Sequence, residues 1–190
     1  MQFKPDQIIV HHDSVSRAGP SFVIVNEFHR TKDFPLSSLG YYVGYHYWIE
    51  SDGTVRQARA ENEVGAHCIG QNYNAIGIGL AGNFDADYPT GKQKDALGKL
   101  MSEICARHLL SKERIFPHRK YSSKTCYGKL LNDTWARDLL RNWEEEATRQ
   151  KPVVTTSQAA ATAAPELPPY FKRIAVAALE LCKAVLNLSA

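Results

Sequence analysis

Gln7-Ile8-Ile9-Val10-His11-His12-Asp13-Ser14 is the stretch from which the rest of the chain can be placed. Gln7 to Val10 is short, apolar and β-branched, the pattern of a buried strand, and it runs straight into two histidines and a carboxylate. Polar groups at the end of a buried strand either line a site or enter a solvated loop, and their partners decide which. A partner lies far downstream in Pro117-His118-Arg119-Lys120-Tyr121-Ser122-Ser123-Lys124-Thr125-Cys126, where seven residues separate an imidazole from a thiol. Imidazole and thiolate are zinc ligands, and a catalytic zinc keeps three protein ligands so that water can take the fourth position. His118 and Cys126 supply two, and either His11 or His12 completes the set.

The chain has 190 residues, 44% of them apolar, enough for one domain of ordinary size and an appendage. Its formal charge of +3 is not gathered into a basic run, so composition gives nucleic acid binding no support. Cys68, Cys105, Cys126 and Cys182 lack the spacing of a small disulfide framework, and Cys105 falls on the apolar face of a helix, so the thiols are expected to be reduced. Met1-Gln2-Phe3-Lys4-Pro5-Asp6 lacks the basic start, apolar core and cleavage site of a secretory signal. The expectation is a protein made and folded in a cytoplasm.

Outward from the first strand, Ser21 is placed to cap a short helix through Phe22, Val25 and His29, with His29 a helix-end residue rather than a ligand. Leu39 to Arg59 reads as a hairpin, an aromatic strand turning at Asp52-Gly53 and returning through Thr54 to Ala58. Alternation places Val43, Tyr45, Tyr47 and Ile49 on one face and Gly44, His46 and Trp48 on the other. Ala75 to Ala81 is a glycine-interrupted central strand whose Gly77, Gly79 and Gly82 permit close packing without the spacing of a phosphate loop. Thr90 and Gln93 form a capping box before a helix with Leu97, Leu100, Met101, Ile104, Cys105 and Leu109 at helical spacing. Arg114-Ile115-Phe116 is a short strand leading into His118, and Asp133 caps a last helix with Trp135, Leu139, Leu140 and Trp143 inward. The expected organisation is a domain over 1–149, a Thr/Ala/Ser/Pro linker over 150–169 and an amphipathic helix over 170–190. Glu180 and Lys183 argue against a membrane-spanning helix there, leaving a membrane surface, a partner protein or the chain's own domain as its contact.

With these segments placed, residues 7 to about 145 resemble the zinc-dependent N-acetylmuramoyl-L-alanine amidases of the phage-lysozyme and peptidoglycan-recognition-protein superfamily. The resemblance is carried by Val10-His11, by Val43-Gly44-Tyr45-His46-Tyr47-Trp48-Ile49 with Asp52-Gly53-Thr54-Val55, by Val64-Gly65-Ala66-His67 with Asn74-Ala75-Ile76-Gly77-Ile78, and by His118, Lys124 and Cys126. One departure is Tyr127, which stands where many relatives have proline.

The resemblance implies an α/β fold, a central mixed β-sheet flanked by helices, with Zn2+ at the floor of a surface cleft. It implies His11, His118 and Cys126 as zinc ligands and Tyr45 and Lys124 as catalytic assistants. His46, His67 and Arg59 are expected to line the cleft, with Arg59 a partner for a stem-peptide carboxylate and the histidines either substrate contacts or support for the ligands. The implied reaction is hydrolysis of the amide joining the lactyl group of N-acetylmuramic acid to L-alanine, in peptidoglycan or muropeptides, by a monomer. The expected role is that of a phage-type endolysin, held in the host cytoplasm until release to the wall. A cytoplasmic amidase that recycles wall fragments, and a recognition module or regulator that binds without cutting, are the alternatives.

Overall fold

In the computed structural model, residues 3–16 and 19–150 are described. Of the expected linker (150–169) and amphipathic helix (170–190), all but residue 150 lie outside the described residues. The first strand, β1 (Gln7–His12), is buried at every residue and includes both histidines, which were expected just beyond its end. Helix α1 (Phe22–Arg30) follows, then the hairpin β2 (Tyr47–Ile49) and β3 (Val55–Gln57), the strand β4 (Ala75–Leu80), helix α2 (Gly91–His108), strand β5 (Ile115–Pro117) and helix α3 (Trp135–Gln150).

The strands form one five-stranded mixed sheet in the order β3-β2-β4-β1-β5. β1 runs parallel to both β4 and β5, β2 runs parallel to β4, and only β3 is antiparallel to its neighbour. Successive residues of a strand point to opposite faces, and that parity organises the molecule. Ile8 and Val10 of β1, with Ile76, Ile78 and Leu80 of β4, pack against Leu97, Met101 and Ile104 of α2 and Leu140 of α3 in the main core. Ile9 of β1 and Ala75 of β4 face the other way, toward Cys68 and Tyr121. His11 therefore shares its face with Ile9, and His12 shares the helix-covered face, where its ring lies against Phe84.

Glycines sit on the cleft face of β4 because rings lie across it. A Cβ on Gly77 would stand 2.5 Å from the His67 ring, and one on Gly79 would stand 2.7 Å from the Trp48 ring. Such separations forbid any larger residue without displacing the ring.

The Asp52-Gly53 turn is present, with Gly53 at φ 87° and the Thr54 N–H donating to Asp52 Oδ1 at 2.8 Å. The expected alternation before it is not. The regular strand begins only at Tyr47, because the Gly44 N–H donates to His29 Nδ1 and the Gly44 carbonyl accepts from Ala66, off the sheet ladder. Tyr45 consequently packs with Val43 and Trp48, while Tyr47 and Ile49 enter the main core on the opposite face.

The capping box of α2 is formed by Thr90 and Gln93 as expected. The other two expected caps differ. Ser21 precedes α1, but its hydroxyl makes no cap; it donates to Glu50 at 2.7 Å and accepts from Trp48 Nε1 at 3.1 Å. Glu50 takes over, accepting the Ser21 and Phe22 N–H groups at 2.8 Å each. A buried carboxylate at a helix N-terminus meets both the unpaired amides and the positive end of the dipole. Asp133 lies two residues before Trp135, the first residue of α3, and its carboxylate accepts from Arg119 Nε at 2.6 Å.

Candidate metal centre and cleft

Three elements deliver the centre. β1 carries His11 on the cleft face; β5 ends at Pro117 and hands His118 to a 3-10 turn over His118–Lys120; the loop that follows brings Cys126 back. Arg119 holds that loop closed. Its N–H donates to the Cys126 carbonyl at 2.5 Å, and its guanidinium donates to Asp133 and to the Gly128 and Leu131 carbonyls. Asp85 holds the far side, accepting from Thr125 Oγ1 and the Lys129 N–H at 2.7 Å each. Neither brace was read from the sequence, although Arg119 directly follows a candidate ligand and a cation there was available as a signal.

Ligand atoms of His11, His118 and Cys126 all lie within 4.8 Å of one another. Cys126 Sγ is 3.8 Å from His11 Nδ1 and accepts the His12 N–H at 3.4 Å. His12 itself is not available as a ligand. Its Nδ1 accepts the Phe84 N–H at 3.0 Å, which leaves Nε2 carrying the proton and donating to Ser14 Oγ at 2.8 Å. Of the two adjacent histidines, His11 is the one that stands with His118 and Cys126.

Burial, then the neighbouring His67, His118 and His12, hold the His11 pKa well below the ordinary imidazole value. His118 is also lowered, by burial and then by Lys124 and His12. Burial pushes the Cys126 thiol up to about 12. Two neutral imidazoles and a thiol make an uncharged nest, and a bound cation would reverse the balance at the thiol by favouring its thiolate. Two nitrogens and one sulfur, converging from a face open to the cleft, fit zinc with one position left for water.

Around the trio runs a cleft of about 460 Å³, with Tyr45, His67 and Lys124 beside the ligands and Val15, Ile24, Phe28 and Phe34 as an apolar wall. A second recess of about 500 Å³ shares His67, His118 and Lys124 and continues to Asn72, Tyr121 and Ser122. The Tyr45 ring is 5.0 Å from His11 and is stacked on Trp48 at 5.7 Å. Burial, then Cys126 and Asp13, raise its phenol above the usual range, so it stays protonated at neutral pH.

Of the three residues expected to contact substrate, only His67 lines the cleft. Arg59 is 2% exposed, and its guanidinium donates to the Val43 and Pro35 carbonyls behind the cleft wall. A stem-peptide carboxylate has no path to it. His46 is fully buried, with Nδ1 accepting the Gly77 N–H at 3.0 Å and Nε2 meeting the Glu63 carbonyl at 2.9 Å. Tyr127 is also buried, and its hydroxyl donates to the Asn132 carbonyl at 3.0 Å. His29, at the end of α1, accepts the Gly44 N–H at its Nδ1 and lines the cleft beside Phe34.

A mixed sheet with helices on both faces, and a nitrogen-and-sulfur nest opening into a cleft at the strand ends, define the class: an α/β protein with a candidate metal site in a cleft. Residues 1–129 match the family model described as N-acetylmuramoyl-L-alanine amidase, and the chain belongs to that family. Among its relatives, peptidoglycan-recognition protein SC2 of Drosophila melanogaster is 28% identical over 141 residues, covering 72% of this chain and 74% of that protein. The endolysin of Escherichia phage T7 is 35% identical over 104 residues, 52% of this chain and 67% of the endolysin. Among solved structures, the N-acetylmuramoyl-L-alanine amidase LysC from Clostridium intestinale superposes with a TM-score of 0.61 at 27% identity, covering 75% of this chain and 87% of that one. Among the described residues, no helix is long and apolar enough to cross a membrane.

Proposed function

We propose that this protein is a zinc-dependent N-acetylmuramoyl-L-alanine amidase that cuts the amide between the lactyl group of N-acetylmuramic acid and L-alanine of the stem peptide, in the manner of an endolysin. The observation that carries this reading is the convergence of His11, His118 and Cys126 within 4.8 Å on the floor of a cleft that Tyr45 and Lys124 also line. Relatives that bind peptidoglycan fragments without cutting are expected to lack a ligand, commonly the thiol. Here the thiol is present.

His11, His118 and Cys126 would hold the zinc, whose chemistry there would be to supply a nucleophile at neutral pH, by lowering the pKa of water from 15.7 to about 7, and to polarise the amide carbonyl. Lys124 stands on the segment that carries Cys126 and presents an ammonium to the carbonyl oxygen as that oxygen gains negative charge. Tyr45, kept protonated by its burial, acts as a hydrogen-bond donor to oxygen beside His11 rather than as a base. The apolar wall of α1 excludes water from one side of the scissile bond and orients the substrate. Removing either Tyr45 or Lys124 is expected to lower the rate on the order of a hundredfold.

The test is release of L-alanine amino termini from purified peptidoglycan, with and without a chelator, by the protein and by Cys126→Ala. Chelator-sensitive release that zinc restores and the variant lacks supports the proposal. A zinc-loaded protein that binds the polymer and releases nothing would replace it with the recognition module.

A further inference from the structure

His67 is not used as a ligand, and its placement is more constrained than a substrate contact requires. Its ring lies against Gly77 of β4 and Gly65 of the preceding loop, and a Cβ on either glycine would stand 2.5 Å from its Cδ2. Its backbone N–H is held by Asn72 Oδ1 at 2.8 Å. Within that slot, Nε2 faces the Ala75 carbonyl at 3.4 Å and Nδ1 faces His11 Nε2 at 3.1 Å.

The proton positions follow from what each partner can do. A carbonyl only accepts, so His67 Nε2 carries the ring proton and Nδ1 is left as an acceptor. His11 Nε2 must then donate, which leaves His11 Nδ1 as a lone pair, on the side where Cys126 Sγ stands at 3.8 Å. The neighbouring His46 cannot compete for His67 Nδ1, since both of its own nitrogens are engaged, by Gly77 and Glu63.

We propose that His67 is a positioning residue for the metal centre: by accepting the Nε2–H of His11 it fixes the tautomer and rotation that aim His11 Nδ1 at the metal. The inference rests on the reading of His11, His118 and Cys126 as a metal site. Partners of this kind orient the ligand ring and raise its basicity, and losing one costs about 10- to 100-fold in metal affinity. His67 thereby acts through His11, from a loop more than fifty residues away in sequence.

Zinc affinity of the full chain is measured by competition with a chromogenic chelator, alongside the absorption spectrum of the cobalt(II)-substituted protein. Wild type, His67→Ala and His67→Asn are compared, with thermal melting of each metal-free form as a check on folding. Asn places Oδ1 close to the position of the His67 Nδ1 acceptor, and Ala places nothing there. The expected result is a loss of about 10- to 100-fold in zinc affinity and an altered cobalt ligand field for His67→Ala, with affinity largely recovered in His67→Asn. Wild-type affinity in His67→Ala overturns the inference alone and leaves the metal centre standing. Equal weakening of both variants also overturns it, since ring packing rather than the acceptor would then be responsible. If wild type binds no zinc, the reading of the trio as a metal site fails first.

Discussion

Replacing Glu50 by alanine should loosen the cleft wall without touching the metal ligands. Glu50 is 2% exposed and accepts three hydrogen bonds, from the Ser21 N–H, the Ser21 hydroxyl and the Phe22 N–H, at 2.7–2.8 Å. Each is charge-assisted, and deletion leaves two amides of the α1 N-terminus in a dry setting, at roughly 1–3 kcal/mol apiece. Water entering the vacated space recovers part of this, and the three bonds share one carboxylate, so about 3 kcal/mol in all is expected. For a domain of this size, 1 kcal/mol moves the melting temperature by about 2–4 °C, which predicts a fall of roughly 6–12 °C. Glu50→Gln keeps an acceptor oxygen but points an amide N–H at a donor, and should fall between wild type and alanine. Because α1 supplies Ile24 and Phe28 to the cleft, KM for a muropeptide should rise in Glu50→Ala. Zinc affinity should hold, since the proposed ligands come from β1 and the 118–126 segment. Thermal melting, chelator competition and steady-state kinetics read these three separately. A melting shift under about 2 °C would refute the argument that this carboxylate organises α1.

Two further outcomes follow from the same structure. Burial alone would raise the pKa of Glu61, but hydrogen bonds from Arg107, Tyr47 and His108 together outweigh it and lower the value from 4.5 to about 2. A depressed carboxylate contributes stability that is complete above about 4.5 and is lost as pH falls toward about 2; after screening at the half-exposed Arg107 it amounts to about 2 kcal/mol. Urea denaturation across that window should show the loss in wild type and a flatter profile in Glu61→Gln, and parallel profiles would remove Glu61 as the cause. Gly79→Ala should destabilise by about 1–3 kcal/mol, because the new methyl would stand 2.7 Å from the buried Trp48 ring and 2.8 Å from Tyr45; a change below about 0.5 kcal/mol in urea denaturation would show that these rings can yield.

The elements that were legible in the sequence are those whose signal is local. β1, β4, α2 with its capping box, the Asp52-Gly53 turn and the apolar stripe of α3 each announce themselves through periodicity or a single turn pair. The face assignment of Tyr45 failed because period-2 alternation holds only along a regular ladder, and the ladder starts at Tyr47 after the Gly44 amide has been claimed by His29. The caps of α1 and α3 failed for a related reason. Ser21 has the right chemistry at the right place, but its hydroxyl is taken by Glu50, distant in sequence, while Asp133 lies two residues before the first residue of α3 and its carboxylate is held by Arg119. Arg59 was misplaced because a guanidinium beside a cleft reads as a binding group, whereas here two backbone carbonyls have already taken it.

The candidate site shows how far such competition reaches. Residue types alone left His11 and His12 equivalent, adjacent imidazoles on one strand. Strand parity separates them first, turning His11 toward the cleft and His12 toward Phe84 on the helix-covered side. Hydrogen bonding then completes the distinction, since Phe84 and Ser14 use both nitrogens of His12, whereas His67 takes only the Nε2 proton of His11. A nitrogen can ligate a metal only through a lone pair that nothing else holds. On that criterion His11 Nδ1, which meets only its fellow candidate ligand Cys126 at 3.8 Å, is the available donor of the pair, so the partners that consume His12 matter to the chemistry as much as the one that orients His11. The small residues on β4 belong to the same logic: Gly77 and Gly79 leave room for His67, Trp48 and Tyr45 to lie over the strand. The glycine interruptions of a central strand, costly for the strand itself, are therefore the record of the rings that build the site on its face.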